Sequence, residues 1–282
     1  MDFVSVHGGH SGQFCSHAEN SLEEVILAYI GHGYAWVGIT EHAPGLAPDL
    51  LYTDQRQLGF TPETLRQRFA RYMPECRRLQ TKYAEQITVF AAMETETYSG
   101  YAEHIDGLLA EFHPDYIVGS VHFVGDVNFD YSAEKYQEAA AKAGGIENLY
   151  CRYFDDQLAM IERLRPAVVG HFDLIRIFDA GYAKHLVLPA VAERVERNLR
   201  RIKALGLIMD FNLRALYKGA SEPYISRPIL LRARELGIAV VPGDDSHGVA
   251  NIHENMEQGI AILQELGFDT NWRRPRPIPY SR

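Results

Sequence analysis

The stretch AWVGITEH, residues 35–42, contains the pattern on which the predicted fold rests. Its apolar run, Ala35–Ile39, has the length and composition of a buried strand, and the polar residues Thr40–His42 follow at once. An apolar run of this kind occurs seven times along the chain. The seven runs are Phe3–Val6, Ala35–Ile39, Ile87–Ala92, Tyr116–Val121, Ala167–Gly170, Leu207–Phe211 and Ile238–Val241.

Segments whose apolar residues recur with a helical period separate these runs. They are Leu22–Ile30, Pro62–Tyr83, Tyr101–Phe112, Ala133–Leu164, Leu188–Leu205, Pro228–Leu236 and Ile252–Leu266. Alternation of strand and helix predicts α/β units around a parallel sheet. The glycines after the first run, in HGGHSG, lack the GxGxxG spacing of a dinucleotide-binding sheet. We therefore predict a closed barrel of seven units, in a single domain that spans residues 1–282.

Composition excludes several classes of protein. Of the 282 residues, 46% are hydrophobic and 23% are charged, which is typical of a globular chain and not of a disordered one. The net charge of −9 argues against a nucleic-acid partner. No apolar window approaches the roughly 18 residues of a membrane span, and residues 1–10 do not resemble a signal peptide. We therefore expect a cytoplasmic protein with reduced thiols at Cys15, Cys76 and Cys151.

Seven of the twelve histidines follow predicted strands, whose carboxyl ends meet at one face of a parallel barrel. A single histidine beside a strand is usually a hydrogen-bonded core or loop residue. Several imidazoles and carboxylates in one buried pocket, however, are costly without cations to neutralise them. The candidate metal ligands are His7, His10, His17, His42, Glu94, His122, His171, Asp245 and His247.

This many ligands exceeds what one ion uses, so we predict two to three divalent ions. Imidazole and carboxylate ligands suit Zn, Fe and Mn alike, so the sequence does not select among them. The other five histidines lie in predicted helices or at their ends, where surface or capping roles are expected. They are His32, His104, His113, His185 and His253.

Five segments resemble, in order and spacing, the histidinol-phosphate phosphatases of the polymerase-and-histidinol-phosphatase (PHP) superfamily, the fungal-type members above all. They are HSGQFCSHA (10–18), TEHAP (40–44), GSVHF (119–123), VVGHFDLIRIF (168–178) and DDSHGVA (244–250). The resemblance implies a distorted seven-stranded TIM-like (β/α)7 barrel, the PHP fold, with a trinuclear metal centre. It also implies a metal-dependent phosphatase that hydrolyses L-histidinol phosphate to L-histidinol and phosphate, in histidine biosynthesis.

Residue by residue, the resemblance implies three ion sites and a phosphate-binding arginine. The first ion takes His10, Glu94 and Asp245 as ligands, the second Glu94, His122 and His171, and the third His17, His42 and His247. Arg176 matches the arginine that binds phosphate, so Glu94, Asp245 and Arg176 are the implied catalytic residues. Asp244, Glu96 and Asp173 are candidates to support the ligating histidines.

The chain departs from the family pattern at two places. Where the family opens with an HxH pair, this chain has His7-Gly8-Gly9-His10, with glycine at the first ligand position. Either His7 supplies that ligand from one residue earlier, or the first ion is ligated differently. Second, a family phosphate-binding arginine aligns with Tyr217, so Arg214 or Lys218 would supply the positive charge.

The predicted mechanism is in-line attack on phosphorus by a hydroxide shared between two ions. The third ion and Arg176 would hold the phosphoryl oxygens, with help from Arg214 or Lys218. Acidic residues are expected beside the amine and imidazole of the substrate, and Asp126 and Asp130 are the candidates.

Three alternatives stay open. The first is a PHP-type phosphoesterase that acts on another small phosphate or on a phosphodiester. The second is an amidohydrolase-type barrel, which usually has a bridging lysine where His122 stands. The third is a catalytically silent metal-binding or regulatory protein, although Glu94, His171 and His247 argue against it. The oligomeric state is left open.

Overall fold

A computed structural model describes residues 2–280, and the predicted domain limits at residues 1 and 282 lie outside this part. The strands are β1 (Phe3–Ser5), β2 (Tyr34–Ile39), β3 (Thr88–Ala91), β4 (Met93–Thr95), β5 (Ile117–Gly119), β6 (Phe123–Val124), β7 (Val127–Asn128), β8 (Val168–Val169), β9 (Ile208–Asn212) and β10 (Ala239–Gly243). The helices are α1 (Leu22–Gly31), α2 (Thr53–Gln57), α3 (Pro62–Lys82), α4 (Tyr101–Phe112), α5 (Ala133–Ala143), α6 (Ile146–Leu164), α7 (Tyr182–His185), α8 (Pro189–Leu205), α9 (Arg214–Tyr217), α10 (Arg227–Glu235) and α11 (Met256–Glu265).

Two parallel sheets contain all strands except a short antiparallel hairpin, β6–β7. The first sheet has the order β1-β2-β3 and the second the order β10-β9-β8-β5-β4. A backbone hydrogen bond of 2.9 Å from Val6 to Pro242 joins the chain just after β1 to β10. Because the strands within each sheet are parallel, their carboxyl ends, and the polar residues that follow, lie at one edge.

Every predicted strand has a counterpart in the structure, and the third, Ile87–Ala92, corresponds to β3, which pairs with β2. The residues directly after it, expected to follow the strand, form a further strand, β4, which pairs with β5. The chain therefore passes from the first sheet to the second at Ala92. The hairpin formed by β6 and β7 was not predicted, because its strands are only two residues long.

The predicted helix Ala133–Leu164 is wrong as a single element, since the structure has two helices there. Gly144 and Gly145 separate α5 from α6 with φ angles of 85° and 123°, a backbone conformation that glycine adopts without strain. Local capping explains other boundaries. At α1 the Ser21 side chain accepts a hydrogen bond from the backbone N–H of Glu24. The Glu24 carboxylate in turn accepts one from the backbone N–H of Ser21.

One hydrophobic cluster extends from Val4 to Trp272 and packs the helices against both sheets. At its centre the buried Tyr116 side chain crosses between strands and donates a 2.6 Å hydrogen bond to the carbonyl of Val6. Gly38 lies directly below the Tyr116 hydroxyl, and a Cβ atom at residue 38 would overlap it.

No helix of residues 2–280 is long and apolar enough to cross a membrane. All three cysteines are free.

Replacement of Gly38 by alanine is expected to destabilise the protein by about 1–3 kcal/mol, because Tyr116 must move and lose its bond to Val6. Gly31→Ala is the matched control, since a Cβ atom there meets nothing within 4 Å. Urea unfolding of both variants and the wild type measures the difference. Equal midpoints for the two variants would contradict the close packing at Gly38.

Candidate metal centre

The predicted ligands gather at the carboxyl ends of the parallel strands. Four groups of side chains each offer ligand atoms that lie within 4.8 Å of one another. They are His7–His10–Asp245, His7–Glu94–His171, His42–Glu96–His122 and His10–Cys15–His42–His247. Because neighbouring groups share members or contact one another, they form one cluster, which includes eight of the nine predicted ligands.

Glu94 lies at the centre of this cluster and is 1% exposed. Its Oε2 atom is 3.4 Å from His7 Nε2 and 3.2 Å from His42 Nδ1. Its Oε1 atom is 3.0 Å from His171 Nε2 and 3.5 Å from His122 Nε2. The two carboxylate oxygens thus face two different sets of histidines, which is the arrangement expected of a bridging ligand.

His7 points into the cluster, and the chain around it explains why. A Cβ atom at Gly8 would clash with the carbonyl oxygen of Gly38 and contact Val37 and Tyr29, on the side of α1. Position 8 therefore faces β2 and the Tyr29 side chain of α1, away from the cluster. The His7 ring faces the opposite side, where its Nδ1 lies 2.8 Å from Asp210 Oδ2 and its Nε2 faces Glu94.

Glu96 supports a second pair of histidines. Its carboxylate lies 2.7 Å from His122 Nδ1 and 3.5 Å from His42 Nδ1, and the Tyr52 hydroxyl donates to it. Although burial opposes both charges, the attraction between Glu96 and His122 lowers the pKa of the carboxyl and raises that of the imidazole. The supporting role expected of Glu96 thus agrees with its contacts.

His17 lies at the outer side of the cluster. Its ring stacks on the ring of His247 with centroids 4.8 Å apart, and its Nδ1 atom is 3.4 Å from Asp54 Oδ2. Its side chain is 34% exposed, whereas those of His7 and His10 are fully buried. His17 is therefore close to the third predicted ion site but outside the four tight groups.

The donor set fits bound cations. Several buried ring nitrogens have no hydrogen-bond partner, namely His7 Nε2, both nitrogens of His10 and both nitrogens of His42. Burial opposes ionisation of Glu94, yet the surrounding histidines, His7 foremost, hold its pKa well below the usual value. Burial and the charge of His42 lower the pKa of His10 to about 3, which keeps this imidazole neutral and able to ligate.

A cavity of about 340 Å³ opens onto the cluster. Arg214 and Lys218 line it together with the candidate ligands, and Asp54 and Asp130 line it as well. Arg214 also donates a 2.8 Å hydrogen bond to the carbonyl of Asp245. Desolvation and the charge of Arg214 lower the pKa of Lys218. The cavity is thus lined by two basic side chains, Arg214 and Lys218, and by two acidic ones, Asp54 and Asp130.

Arg176 lies behind Tyr224, which lines the cavity, and its guanidinium carbon is 4.8 Å from the centre of that ring. Its Nη2 atom donates to the carbonyls of Glu222 and Pro223 at 2.9 and 2.6 Å. Its Nε atom is 3.4 Å from Asp173 Oδ2. In this conformation the guanidinium is directed at the backbone, so direct phosphate binding by Arg176 stays a prediction.

Three further residues named in the sequence predictions, Tyr217, Asp126 and Asp130, differ in whether they reach the cavity. Tyr217 is half exposed and lines a separate small pocket, to which Arg214 also contributes. Unlike Arg214 and Lys218, Tyr217 does not line the cavity at the cluster. Asp126 lies in the β6–β7 turn, where it accepts hydrogen bonds from Ser99, while Asp130 reaches the cavity.

Asp244 and Asp173, which were candidates to support the ligating histidines, hydrogen-bond to other residues. Asp244 accepts a 2.7 Å hydrogen bond from Tyr29, and the Ser5 hydroxyl also donates to it. Asp173 accepts from the backbone of Ser226 at 2.9 Å. Both carboxylates therefore anchor the surrounding chain and do not orient a ligating imidazole.

The five remaining histidines lie in or beside helices, as expected. His113 caps α4 with a φ of 49°, and His32 caps α1. His104 Nε2 lies 2.7 Å from the carbonyl of Pro44, and His185 Nδ1 lies 2.6 Å from Asp179. His253 stacks on His32.

Three residues at the site, Asp210, Tyr52 and Glu41, have no role among the sequence-based predictions. Asp210 is fully buried and holds His7, the His171 backbone and Asn212. The sequence feature that indicates a role for Asp210 is its position as the one carboxylate inside the apolar run Leu207–Phe211. Glu41 accepts two hydrogen bonds from Ser11, and burial raises its pKa to about 7. Tyr52 belongs to the connection before α2, where the sequence has no pattern that indicates its position.

Comparison with known proteins gives consistent matches. Residues 8–213 match the PHP domain family. Over 269 residues the chain is 35% identical to a protein of Schizosaccharomyces pombe named "Probable histidinol-phosphatase", and the alignment covers 94% of this chain and 87% of that protein. The family match includes every candidate ligand except His7, Asp245 and His247.

Solved structures agree in fold. A crystal structure of a Listeria monocytogenes protein assigned as a histidinol phosphatase superimposes with a TM-score of 0.80 and 25% identity, covering 91% of this chain and 99% of that one. A histidinol phosphate phosphatase of Lactococcus lactis, solved with zinc, L-histidinol and phosphate, gives a TM-score of 0.72 at 17% identity and covers 94% of each chain.

His7→Ala is expected to lower the metal content by about one ion per chain, because His7 belongs to two of the four ligand groups. His32→Ala, at an exposed helix cap, should retain the wild-type content. Elemental analysis after loading with Zn²⁺ measures both. Wild-type zinc content in His7→Ala would mean that the first ion is bound without this residue.

Proposed function

Because the chain belongs to the PHP domain family, we propose that it is a metal-dependent phosphatase that hydrolyses L-histidinol phosphate in histidine biosynthesis. The observation that carries this proposal is the position of Glu94, whose two oxygens face separate sets of histidines beside a cavity with two cationic side chains. A catalytically silent protein has no need for such a cavity beside its metal ligands.

Two to three divalent ions of the Zn, Fe or Mn type fit the cluster. His7, His10 and Asp245 would hold one ion together with Glu94, and Glu94, His122 and His171 would hold a second. His42 and His247, with His17 close by, would hold a third. Bound ions would supply a hydroxide at neutral pH and would neutralise phosphoryl oxygens. Glu94 and Asp245 are the catalytic carboxylates in this proposal. Burial opposes their ionisation, but the surrounding positive charges, His7 foremost, hold the pKa of both well below the usual value.

The phosphate end of the substrate would lie beside Arg214 and Lys218. Both side chains line the cavity next to His247 and Asp245, and a guanidinium matches the geometry of phosphate oxygens. Arg176 is the third substrate-binding candidate. It packs against Tyr224, which lines the cavity, and so supports the cavity wall.

The other end of the substrate carries an amine and an imidazole, which are cationic or hydrogen-bonding groups. Asp130 lines the cavity and accepts a 2.6 Å hydrogen bond from Asn128, while Asp54 lines it beside His17. These carboxylates would bind the amine and the imidazole, and their negative charge would favour this substrate over simple phosphates.

The proposed protein is a single-domain barrel that acts in the cytoplasm. The hydrogen bond between Val6 and Pro242 and the passage of the chain from β3 to β4 support a distorted seven-stranded barrel. One hydrophobic cluster from Val4 to Trp272 supports a single domain over residues 1–282. Three free cysteines are compatible with work in the cytoplasm.

Release of phosphate from L-histidinol phosphate by the metal-loaded protein tests the proposed function. We expect turnover that disappears on chelation and falls by at least about 100-fold in Glu94→Gln, because the amide lacks the charge that bridges two ions. A panel of other small phosphates and a phosphodiester serves as the comparison. A higher kcat/KM for one of them would replace histidinol phosphate as the substrate, and no turnover of any would favour a silent protein.

Lys218→Ala is expected to lose about tenfold in kcat/KM, or about 1.4 kcal/mol, because one charge beside the phosphate is removed. Lys142→Ala, on the surface of α5, is the matched control. We expect Arg176→Ala to lose at least about tenfold as well, with its metals retained. Kinetics and elemental analysis on the same preparations test both. Unchanged kinetics would remove the residue from substrate binding, and lost metals would make Arg176 structural.

A further inference from the structure

Cys15 lies inside the metal centre, although the proposed function makes no use of it. Its side chain is buried, with 7% exposure for the residue. Its Sγ atom and one ring nitrogen each from His10, His42 and His247 all lie within 4.8 Å of one another. It follows the first strand in the segment HSGQFCSHA, two residues before His17.

The surroundings of Cys15 differ from those of an ordinary core cysteine. Cys76, on α3, is fully buried beside Tyr72 in the hydrophobic cluster, and Cys151 is partly exposed on α6. Cys15, in contrast, lines a small pocket together with Glu41 and His42. A thiol among imidazoles and a carboxylate is in the chemical setting of a metal ligand.

The histidines of this group are available as ligands. Both ring nitrogens of His10 and both of His42 are buried without a hydrogen-bond partner, and His10 is fully buried. His247 Nδ1 lies 3.0 Å from the carbonyl of Asp245, so a hydrogen bond there orients the ring and leaves Nε2 for an ion. Unpaired buried nitrogens are costly, and a cation between them removes that cost.

We propose that the sulfur of Cys15 is a ligand of the third ion, together with His42 and His247. Ligands at about 2.0–2.3 Å from a tetrahedral ion lie well within 4.8 Å of one another. The Cys15 sulfur and the ring nitrogens of His42 and His247 therefore need only small side-chain movements to bind one ion, while His10 stays a ligand of the first. This inference rests on the proposed metal centre and changes the ligand set of one ion within it.

The position of His17 supports this assignment. Its side chain is 34% exposed, its Nδ1 faces Asp54, and its ring covers His247 from the outer side. Cys15 takes the inner position and His17 the position nearest to solvent. A thiolate is a softer ligand than a carboxylate, so this site would favour zinc over manganese or magnesium.

Titration of the metal-free protein with CoCl₂ tests the proposal, because a thiolate bound to Co²⁺ gives an intense charge-transfer absorption in the near ultraviolet that nitrogen and oxygen ligands do not give. We expect this band in the wild type and in Cys151→Ser, and its loss in Cys15→Ser together with about one Co²⁺ ion per chain. His17→Ala should retain the band. Bound cobalt without the band in the wild type, or an unchanged band in Cys15→Ser, would overturn the proposal.

A second variant keeps the test decisive if Cys15→Ser fails to fold. The double variant Cys76→Ala with Cys151→Ser leaves Cys15 as the sole cysteine of the chain, so a charge-transfer band in this variant comes from Cys15. Absence of the band there, with cobalt bound, overturns the assignment. Phosphate release is measured separately on the zinc-loaded wild type, so a protein with the band and without turnover fails the proposed function and not this inference.

Discussion

The buried carboxylate of Glu94 stands between the two sheets, and much of the site is arranged around its charge. The chain crosses from the first sheet to the second at Ala92, so Glu94 in β4 lies beside residues from both. One oxygen faces histidines that follow β1 and β2, and the other faces histidines that follow β5 and β8. An ionised carboxylate that is 1% exposed is costly unless positive charge surrounds it. The additional strand β4, directly after the predicted strand Ile87–Ala92, therefore has a functional consequence.

A second layer of carboxylates determines how the imidazoles point. Asp210 holds the Nδ1 atom of His7, and Glu96 holds the Nδ1 atom of His122, which leaves the Nε2 atom of each ring directed towards Glu94. Hydrogen bonds of this kind fix ring orientation before any ion binds and increase the basicity of the ligand. Both carboxylates come from strands or from residues directly after them, so the sheets themselves provide the orientation.

The cavity is lined by charges of both signs, as is expected for a substrate with an anionic phosphate and basic groups. Arg214 and Lys218 provide positive charge near the cluster, while Asp54 and Asp130 provide negative charge. Histidinol phosphate likewise carries an anionic phosphate together with a basic amine and an imidazole. The hairpin formed by β6 and β7 carries Asn128, which donates a hydrogen bond to Asp130. The hairpin was missed in the sequence because two-residue strands have no period to detect.

The sequence by itself determined the order of strands and helices, the histidines after those strands and the metal-binding character of the site, because hydrophobic period and residue chemistry are local properties. It also made His7 one of two alternatives for the ligand missing at Gly8, the other being a first ion that is ligated differently. Only the tertiary structure decided that position 8 faces away from the cluster, that Arg176 turns towards the carbonyls of Glu222 and Pro223, and that Asp210 and Cys15 belong to the cluster. Those facts depend on which side chains meet across elements distant in sequence, and neither spacing nor composition along the chain contains that information.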